Sequence, residues 1–261
     1  SRRLYFKGQH TVASDTVCYP AKLAHGHIES LLDADVDFIF YPCESYNLDE
    51  HDSANHYNCP VVAYYPELLK ANNERLTDEN FVMPYIDLND KKTTVRALHR
   101  ALKRYKLSRR LIKKGLKEGF ARLEKFHQDV HEKGNEISAG AEKLGIPVII
   151  LAGRPYHVDP EINHGIGKLL TSLNIAVLSE DSVFFKGREV LVNVLNQWTY
   201  HARLYRAAEY ATEHDNVNLV QLVSFGCGID AITTDEVRSI LASRGKLYTQ
   251  INIDEINNLG V

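Results

Sequence analysis

The four cysteines, Cys18, Cys43, Cys59 and Cys227, are the residues best suited to chemistry. Cys18 lies in SDTVCYP, directly before a segment that Pro20 and the apolar spacing predict to be a helix. The unpaired amides and the partial positive charge of a helix N-terminus favour a thiolate over a thiol, so this position suits a reactive or metal-binding cysteine. A small buried apolar residue is the alternative, and it stays open for each cysteine taken singly.

Cys43 and Cys227 are each predicted to follow a β-strand. Gly226 and Gly228 flank Cys227. Glycine there permits close approach to a bulky inorganic group and leaves amides free to bond its sulfides, or it simply forms a strand-to-helix turn. Thiolates that converge from distant positions in a reducing compartment typically hold iron–sulfur or zinc. We therefore expect Cys18, Cys43 and Cys227 to meet at one cleft, although the chain has no C-x-x-C pair.

The histidines form a second set of candidates. His25 and His27 of HGH point to different helix faces, so a regular helix cannot present both to one metal, and a structural role is the alternative for either. The stretch RPYHVDPEINHG holds Arg154, His157 and His164 at a predicted strand end. Arg154 suits a phosphate or carboxylate, and His157 suits proton transfer or a hydrogen bond to sulfur. The prolines of this stretch also indicate a rigid turn.

The elements that position these residues fall into two predicted α/β lobes. In the first, over residues 1–90, we predict a helix from Pro20, strands over residues 36–41 and in FVMPYIDL, a loop over 44–58, and a helix after Cys59 that is kinked at Pro66. A short strand over residues 61–65 is the alternative to that helix. Because SRRLYFKGQH has neither an initiator methionine nor a first strand, we expect this lobe to be cut from a longer chain.

A helical connector is predicted over residues 91–145, with two helices between residues 92 and 144. In the second lobe, residues 146–261, strands alternate with helices. The predicted strands are IPVIILAG, IAVLS, VNLVQLVSFG and KLYTQINI; the predicted helices are EINHGIGKLLTSLN, residues 188–213 and TTDEVRSILASRG. This alternation predicts parallel sheets covered by helices, with ligands in the crevice beyond the strand ends, where GRPYH and SFGCG lie.

Composition excludes several classes of protein. Of the 261 residues, 44% are apolar and 25% are charged, and the net charge of −3 gives no overall basic bias towards nucleic acid. In the run RALHRALKRYKLSRRLIKKGLK, basic residues alternate with leucines. We interpret the basic residues as solvated helix faces, with an RNA-binding patch as the alternative. No run approaches the ~20 apolar residues of a membrane helix, and no signal peptide is evident, so we expect a cytoplasmic protein without disulfides.

Five ordered motifs together resemble a known family; they are CYPAKLAHGHI, DFIFYPC, NCPVVAYYPELLK, GRPYHVDPEINHGI and SFGCGIDAITTDEV. They are similar to the cluster-binding component of the 2-hydroxyacyl-CoA dehydratase family. The likeness is specifically to the branch in large CoA-substrate-specific enzyme activase proteins, an uncharacterised domain family related to double-cubane cluster proteins. It runs from about residue 3 to the end of the chain.

This resemblance implies two flavodoxin-like lobes with an iron–sulfur cluster, 4Fe-4S or larger, between them. Its cysteine ligands match Cys18, Cys43 and Cys227, while Cys59 matches a cysteine of this branch and is either a fourth ligand or a bystander. In the family, a separate ATP-hydrolysing activator delivers a low-potential electron, which the cluster component passes to an acyl-CoA substrate. This chain has no G-x-x-x-x-G-K-S/T phosphate loop, so such an activator is another domain or another polypeptide.

Three functions follow as hypotheses. The preferred one is an iron–sulfur redox component, the dehydratase (lyase) or reductase half of an ATP-driven system, not active alone. The second is a zinc-stabilised or metal-free lobe that binds a small anion near Arg154. The third is an architectural domain that mediates contacts between domains or within a homodimer.

Overall fold

Eight α-helices and six β-strands run through the described residues, 2–50, 53–188, 190–224 and 226–255, of this computed structural model. The helices are α1 (Arg2–Gly8), α2 (Tyr19–Asp33), α3 (Pro60–Ala71), α4 (Lys91–Ala101), α5 (Arg109–Leu144), α6 (Ile166–Ser172), α7 (Thr199–Thr212) and α8 (Gly228–Ala242). The strands are β1 (Ile39–Phe40), β2 (Phe81–Val82), β3 (Val148–Ala152), β4 (Ala176–Ser179), β5 (Val217–Ser224) and β6 (Thr249–Ile253). The strands pair in two parallel sheets, which confirms the predicted α/β class.

The chain divides into two compact units that alternate along the sequence. The first unit comprises Ser1–Asp15, Ala21–His51 and Asn55–Lys125, and the second comprises Thr16–Pro20, Asp52–Ala54 and Phe126–Val261. None of the described helices combines the length and the apolar character that crossing a bilayer requires.

In the first unit, β1 and β2 form a two-stranded parallel sheet, with Ile39 opposite Phe81. A single bridge between Cys43 and Tyr85 continues the pairing beyond the strands. Both strands are shorter than predicted. Beyond them the amide of Tyr41 donates to the Val82 carbonyl at 3.0 Å, but Pro84 has no amide hydrogen to donate back to the Tyr41 carbonyl.

Two glycines allow α1 to cross α2 closely. A Cβ atom added at Gly26 would overlap the carbonyl oxygen of Leu4, and one at Gly8 would overlap the backbone of Gly26. The backbones therefore touch where any side chain would separate them.

Replacing Gly26 with alanine is expected to lower the free energy of unfolding by about 1–3 kcal/mol, because the methyl group forces α1 away from α2. Urea denaturation measures this loss. The matched control is Gly140→Ala in α5, where an added Cβ meets no atom within 4 Å and alanine is the better helix former. Equal losses in both variants would contradict the close crossing.

The long helices match the prediction more closely than the strands do. Helix α3 begins at Pro60 after Cys59 and contains Pro66, so the helix and not the alternative strand forms here. Asp90 caps α4 by accepting hydrogen bonds from the amides of Lys92 and Thr93, both at 3.0 Å. Helix α5 has 36 residues, and the chain passes from the first unit to the second within it.

The second unit is built on a four-stranded parallel sheet in the order β4-β3-β5-β6. Strand β3 lies between β4 and β5, and its residue Ile150 pairs in register with Leu178 of β4 and with Leu219 of β5. The core between sheet and helices includes Leu204 and Val237, each no more than 1% exposed. When β3 is counted as the first strand, this order is 2-1-3-4, which is the order of the first four strands of a flavodoxin-like sheet.

Three predicted elements of this unit differ from the structure. Helix α6 starts only at Ile166, because His164 and Gly165 adopt positive φ angles of 53° and 74°. Helix α7 starts at Thr199, since the preceding valines and asparagines are poor helix formers; Glu189 of the helix predicted over 188–213 lies outside the described residues. Helix α8 begins five residues before TTDEVRSILASRG, directly after Cys227.

Candidate functional site

The two parallel strands β3 and β5 are neighbours in the sheet, and the chain leaves them in opposite directions along it. This arrangement makes a topological switch point, where doubly wound sheets bind ligands beyond the carboxyl ends of the strands. Arg154 follows β3 by two residues, and Cys227 follows β5 by three. The Nη2 atom of Arg154 lies 3.5 Å from the Sγ atom of Cys227.

Arg154 is the centre of a buried polar network and is only 4% exposed. Its guanidinium donates to both carboxylate oxygens of Asp230, at 2.5 and 3.1 Å, and to Nε2 of His201 at 2.9 Å. Asp230, fully buried, also accepts a hydrogen bond from the amide of Ser224 at 3.0 Å. Although burial alone lowers the pKa of Arg154, Tyr156 and Asp230 raise it overall, so the guanidinium stays charged.

The sulfur of Cys227 faces several hydrogen-bond donors. Cys227 is the N-cap of α8, and the amides of Ile229 and Asp230 face its sulfur together with the Arg154 guanidinium. Burial and the charge of Asp230 raise the pKa of the Cys227 thiol, and these donors act against that rise. A thiolate or a metal-bound sulfur is therefore better stabilised here than burial alone would allow.

Cys18 belongs to the same unit as Cys227. It directly precedes α2, in the segment Thr16–Pro20 that packs with the second unit. A Cβ at Gly226, whose φ is 77°, would lie 3.1 Å from the carbonyl oxygen of Thr16. Cys18 also acts electrostatically on Tyr156, whose hydroxyl lies 3.4 Å from Ser224 Oγ. The structure thus brings the segment of Cys18 to the loop of Cys227.

Two buried histidines complete this network as neutral donors. Nδ1 of His157 accepts a hydrogen bond from the Arg154 amide at 2.9 Å, so its proton is on Nε2. Nε2 of His201 accepts from the Arg154 guanidinium, so its proton is on Nδ1. Burial lowers the pKa of His157 to about 3 and the pKa of His201 well below its usual range. Neither N–H has an acceptor within the described residues.

A cavity of about 410 Å³ opens beside Cys227. Its polar lining comes from Ser224, Thr234, Gln250 and Asn252, and both Gly226 and Gly228 form part of its wall. The absence of side chains at these glycines leaves the sulfur accessible from the cavity.

The other two cysteines lie in the first unit. Cys43 is fully buried, and its pKa is raised by burial and by Glu67, with a hydrogen bond from Tyr85 acting the other way. Cys59 is the N-cap of α3. The amide of Asn58 donates to the carbonyl of Ser45 at 3.0 Å, so the segments that carry the two cysteines run side by side.

The remaining predicted histidines are divided between the two units. His25 is buried in the first unit between Thr11 Oγ1 at 2.7 Å and Tyr65 hydroxyl at 2.9 Å, and burial lowers its pKa to about 4. His27 is exposed on the other face of α2, as the helix geometry predicts. His164 is exposed in the second unit and contacts the carbonyl of Asp254 at 3.0 Å.

Over the part of the chain that the structure describes, no three or more Cys, His, Asp or Glu side chains form a group suited to a metal ion. None of the four cysteines forms a disulfide in that part either. The donor chemistry at Cys227 nevertheless suits an iron–sulfur centre, since a charged guanidinium lies 3.5 Å from its sulfur and a cavity opens beside it. The meeting of Cys18, Cys43 and Cys227 stays a prediction.

A model of the CoA enzyme activase uncharacterised domain (DUF2229) matches residues 1–183. The chain belongs to this family. No curated protein and no solved structure matches the chain. The matched part of this activase-related domain contains Cys18, Cys43 and Cys59 as well as Arg154, while Cys227 and Asp230 follow it. At the switch point, Arg154 lies within the matched residues, whereas its contacts Cys227 and Asp230 lie after them in the sequence.

Two members of the activase domain's network were missed from its sequence. Asp230 is the third residue after Cys227, a first-turn acidic residue of α8, and that position was a usable signal for a buried partner of a nearby cation. His201 gave no signal in the sequence, because it is buried in α7, which lies far along the chain from Arg154. The sequence predicts a phosphate or a carboxylate as the partner of Arg154, and inside the domain the Asp230 carboxylate binds its guanidinium.

Proposed function

We propose that this domain holds an iron–sulfur centre with Cys18 and Cys227 as two of its thiolate ligands and Cys43 as a third. The domain is then a redox component of a low-potential electron-transfer system. Membership of the activase family supports a dehydratase or activase component as its partner. The further proposal is that an ATP-hydrolysing activase supplies the electron and that an acyl-CoA is the substrate class.

The surroundings of the Cys227 sulfur are the observation that carries this proposal. A guanidinium at 3.5 Å and two helix amides face one half-buried sulfur at the switch point of the sheet. The two amides are those of an ordinary helix N-terminus, so the Arg154 guanidinium is the donor that distinguishes this sulfur from any other N-cap. When bound, an iron–sulfur centre supplies one-electron transfer whose potential depends on such hydrogen bonds and on burial.

The residues of the chain have separate roles in this proposal. The Arg154 guanidinium balances thiolate charge and donates to the sulfur of Cys227, while Asp230 and His201 hold that guanidinium in place. Gly226 and Gly228 leave room beside the sulfur. The thiol of Cys227 must lose its proton to become a ligand, whereas His157 and His201 stay neutral at pH 7 and exchange no proton.

Iron, sulfide and zinc analysis of the full chain after anaerobic reconstitution tests the metal, and electron paramagnetic resonance of the reduced protein tests the cluster type. We expect bound iron and sulfide in equal amounts, a brown colour and a reduced-state signal. Stoichiometric zinc, or a colourless protein with three freely reactive thiols at Cys18, Cys43 and Cys227, would instead support the zinc-stabilised or metal-free alternative.

Serine variants assign the ligands. Cys227→Ser and Cys18→Ser are each expected to lose most of the bound iron while keeping the helical circular dichroism spectrum of the parent chain. Cys43→Ser tests the third ligand separately. Cys59→Ser is the comparison on a helix N-cap in the first unit; retained iron makes Cys59 a bystander, and lost iron makes it the fourth ligand. Full iron in the Cys227 variant rules out the proposed centre.

A further inference from the structure

Helices α4 and α5 of the first unit carry two adjoining pockets of opposite character. The first, called the apolar pocket, has a volume of about 610 Å³ and no charged residue in its lining. The second, called the basic pocket, has a volume of about 510 Å³. The two share Leu116 and Phe120 in their walls, so they are neighbouring compartments.

The apolar pocket lies between α4, α5 and β1. Phe38, Phe40, Leu98, Leu111, Ile112 and Leu123 supply much of its wall. Phe40 and Leu111 are 43% and 53% exposed, so apolar surface here is left open to an occupant. Gly115 and Gly119 of α5 also line the pocket, and a Cβ added at either would meet no atom within 4 Å. The floor of this compartment is therefore open down to the helix backbone.

The basic pocket contains six cations and no acidic residue among its lining. They are Lys91, Lys92, Arg96, Arg109, Lys113 and Lys117. None of the six forms a salt bridge within the described part of the chain, although Asp90 lies close enough to Arg96 to interact electrostatically. The Nζ atom of Lys91 lies 4.5 Å from the centre of the Phe120 ring, at the wall that both pockets share. Positive charge thus adjoins the apolar compartment directly.

We infer that these two pockets bind one small amphipathic anion, an alkyl or acyl chain with a phosphate head. The apolar pocket takes the chain, and the basic pocket takes the phosphate. Both volumes fall in the range of small-molecule sites. Charge complementarity decides the occupant, since a wholly apolar partner would leave six cations unmatched, and a nucleic acid would leave the apolar pocket empty. The inference does not depend on a metal centre.

Calorimetric titration of the full chain with dodecyl phosphate, below its micellar concentration, tests the inference. We expect one ligand per chain and a dissociation constant that rises roughly tenfold when decyl phosphate replaces dodecyl phosphate, because two buried methylenes are lost. Inorganic phosphate and dodecanol, each lacking one half of the ligand, are expected to bind at least about tenfold more weakly. Cys227→Ser is expected to bind dodecyl phosphate as the parent chain does, which separates this site from the proposed metal centre.

Two variant pairs locate the site. Gly119→Leu fills the open floor of the apolar pocket and is expected to weaken dodecyl phosphate binding at least about tenfold. Gly140→Leu, on the same helix and equally free of neighbours, is the control and should bind normally. The charge variant Lys113→Glu with Lys117→Glu should weaken binding similarly, whereas Arg122→Glu with Lys143→Glu changes the net charge of α5 equally outside the basic pocket and should not.

Several results overturn the inference. Equal binding by Gly119→Leu and the parent chain, or no dependence on chain length, removes the apolar pocket from the site. Stronger binding of a short single-stranded RNA than of dodecyl phosphate, lost in the Lys113→Glu, Lys117→Glu variant, makes the basic pocket a nucleic-acid site. A concentration-dependent dimer in light scattering that Gly119→Leu abolishes makes this face a homodimer contact instead.

Discussion

Replacing Asp230 with alanine is expected to lower the free energy of unfolding by about 3–5 kcal/mol, because the buried Arg154 guanidinium loses its counter-ion. The Ser224 amide loses its acceptor in the same variant. Urea denaturation at pH 7 measures the loss. Replacing both members of the pair, as Arg154→Met with Asp230→Leu, is expected to restore most of the stability, since no uncompensated charge remains.

The control for this prediction lies five residues further along α8. Asp235 forms a salt bridge with Arg238 at 2.9 Å, and both side chains are more than half exposed. Asp235→Ala should therefore cause a far smaller loss than Asp230→Ala, since solvent screens exposed pairs. Similar losses in the two variants would mean that the buried pair does not carry the stability assigned to it.

Replacing Glu180 with glutamine is expected to change how stability depends on pH. Glu180 follows β4, is 2% exposed, and accepts a hydrogen bond from the Gly153 amide at 3.3 Å. Burial and Asp181 raise its pKa to about 8, with Arg203 acting the other way. The folded protein therefore holds this proton between pH 4.5 and 8 while the unfolded chain releases it, so Glu180 lowers stability progressively as the pH rises through that window.

Across this window the cost in the parent chain amounts to about 5 kcal/mol, and Glu180→Gln removes it. The variant and the parent chain should be equally stable at pH 4.5, and the variant should be more stable above pH 8. Glutamine retains an oxygen that accepts from the Gly153 amide. Urea denaturation across the pH range tests this, with exposed Glu142→Gln as the control that should follow the parent curve. A constant difference at every pH would contradict the raised pKa.

Long periodic segments allowed sequence to predict much of this fold. The leucine spacing of residues 92–144 identified α4 and α5, and the alternation of strands with helices identified the parallel sheet of the second unit. Strand ends were also located well enough to place Arg154 and Cys227 at the crevice. These features depend on local pattern and on the general rules of parallel sheets.

The partners of Arg154 depend on contacts between distant parts of the chain, and the sequence signalled only one of them, as the first-turn acidic residue Asp230. His201 lies 47 residues from Arg154 and Asp230 lies 76 residues from it. The burial of Glu180 is a tertiary effect of the same kind. The two short strands differ from the prediction partly for a local reason, since Pro84 has no amide hydrogen to donate to the neighbouring strand.

The alternation of the two units along the chain has a consequence for synthesis on the ribosome. Thr16–Pro20, with Cys18, packs in a unit whose other residues are mostly made after residue 125. More than two hundred further residues are synthesised after this segment before the loop of Cys227, which lies beside Thr16 in the folded chain, leaves the ribosome. Until then Cys18 lacks the packing that its own unit provides in the folded chain.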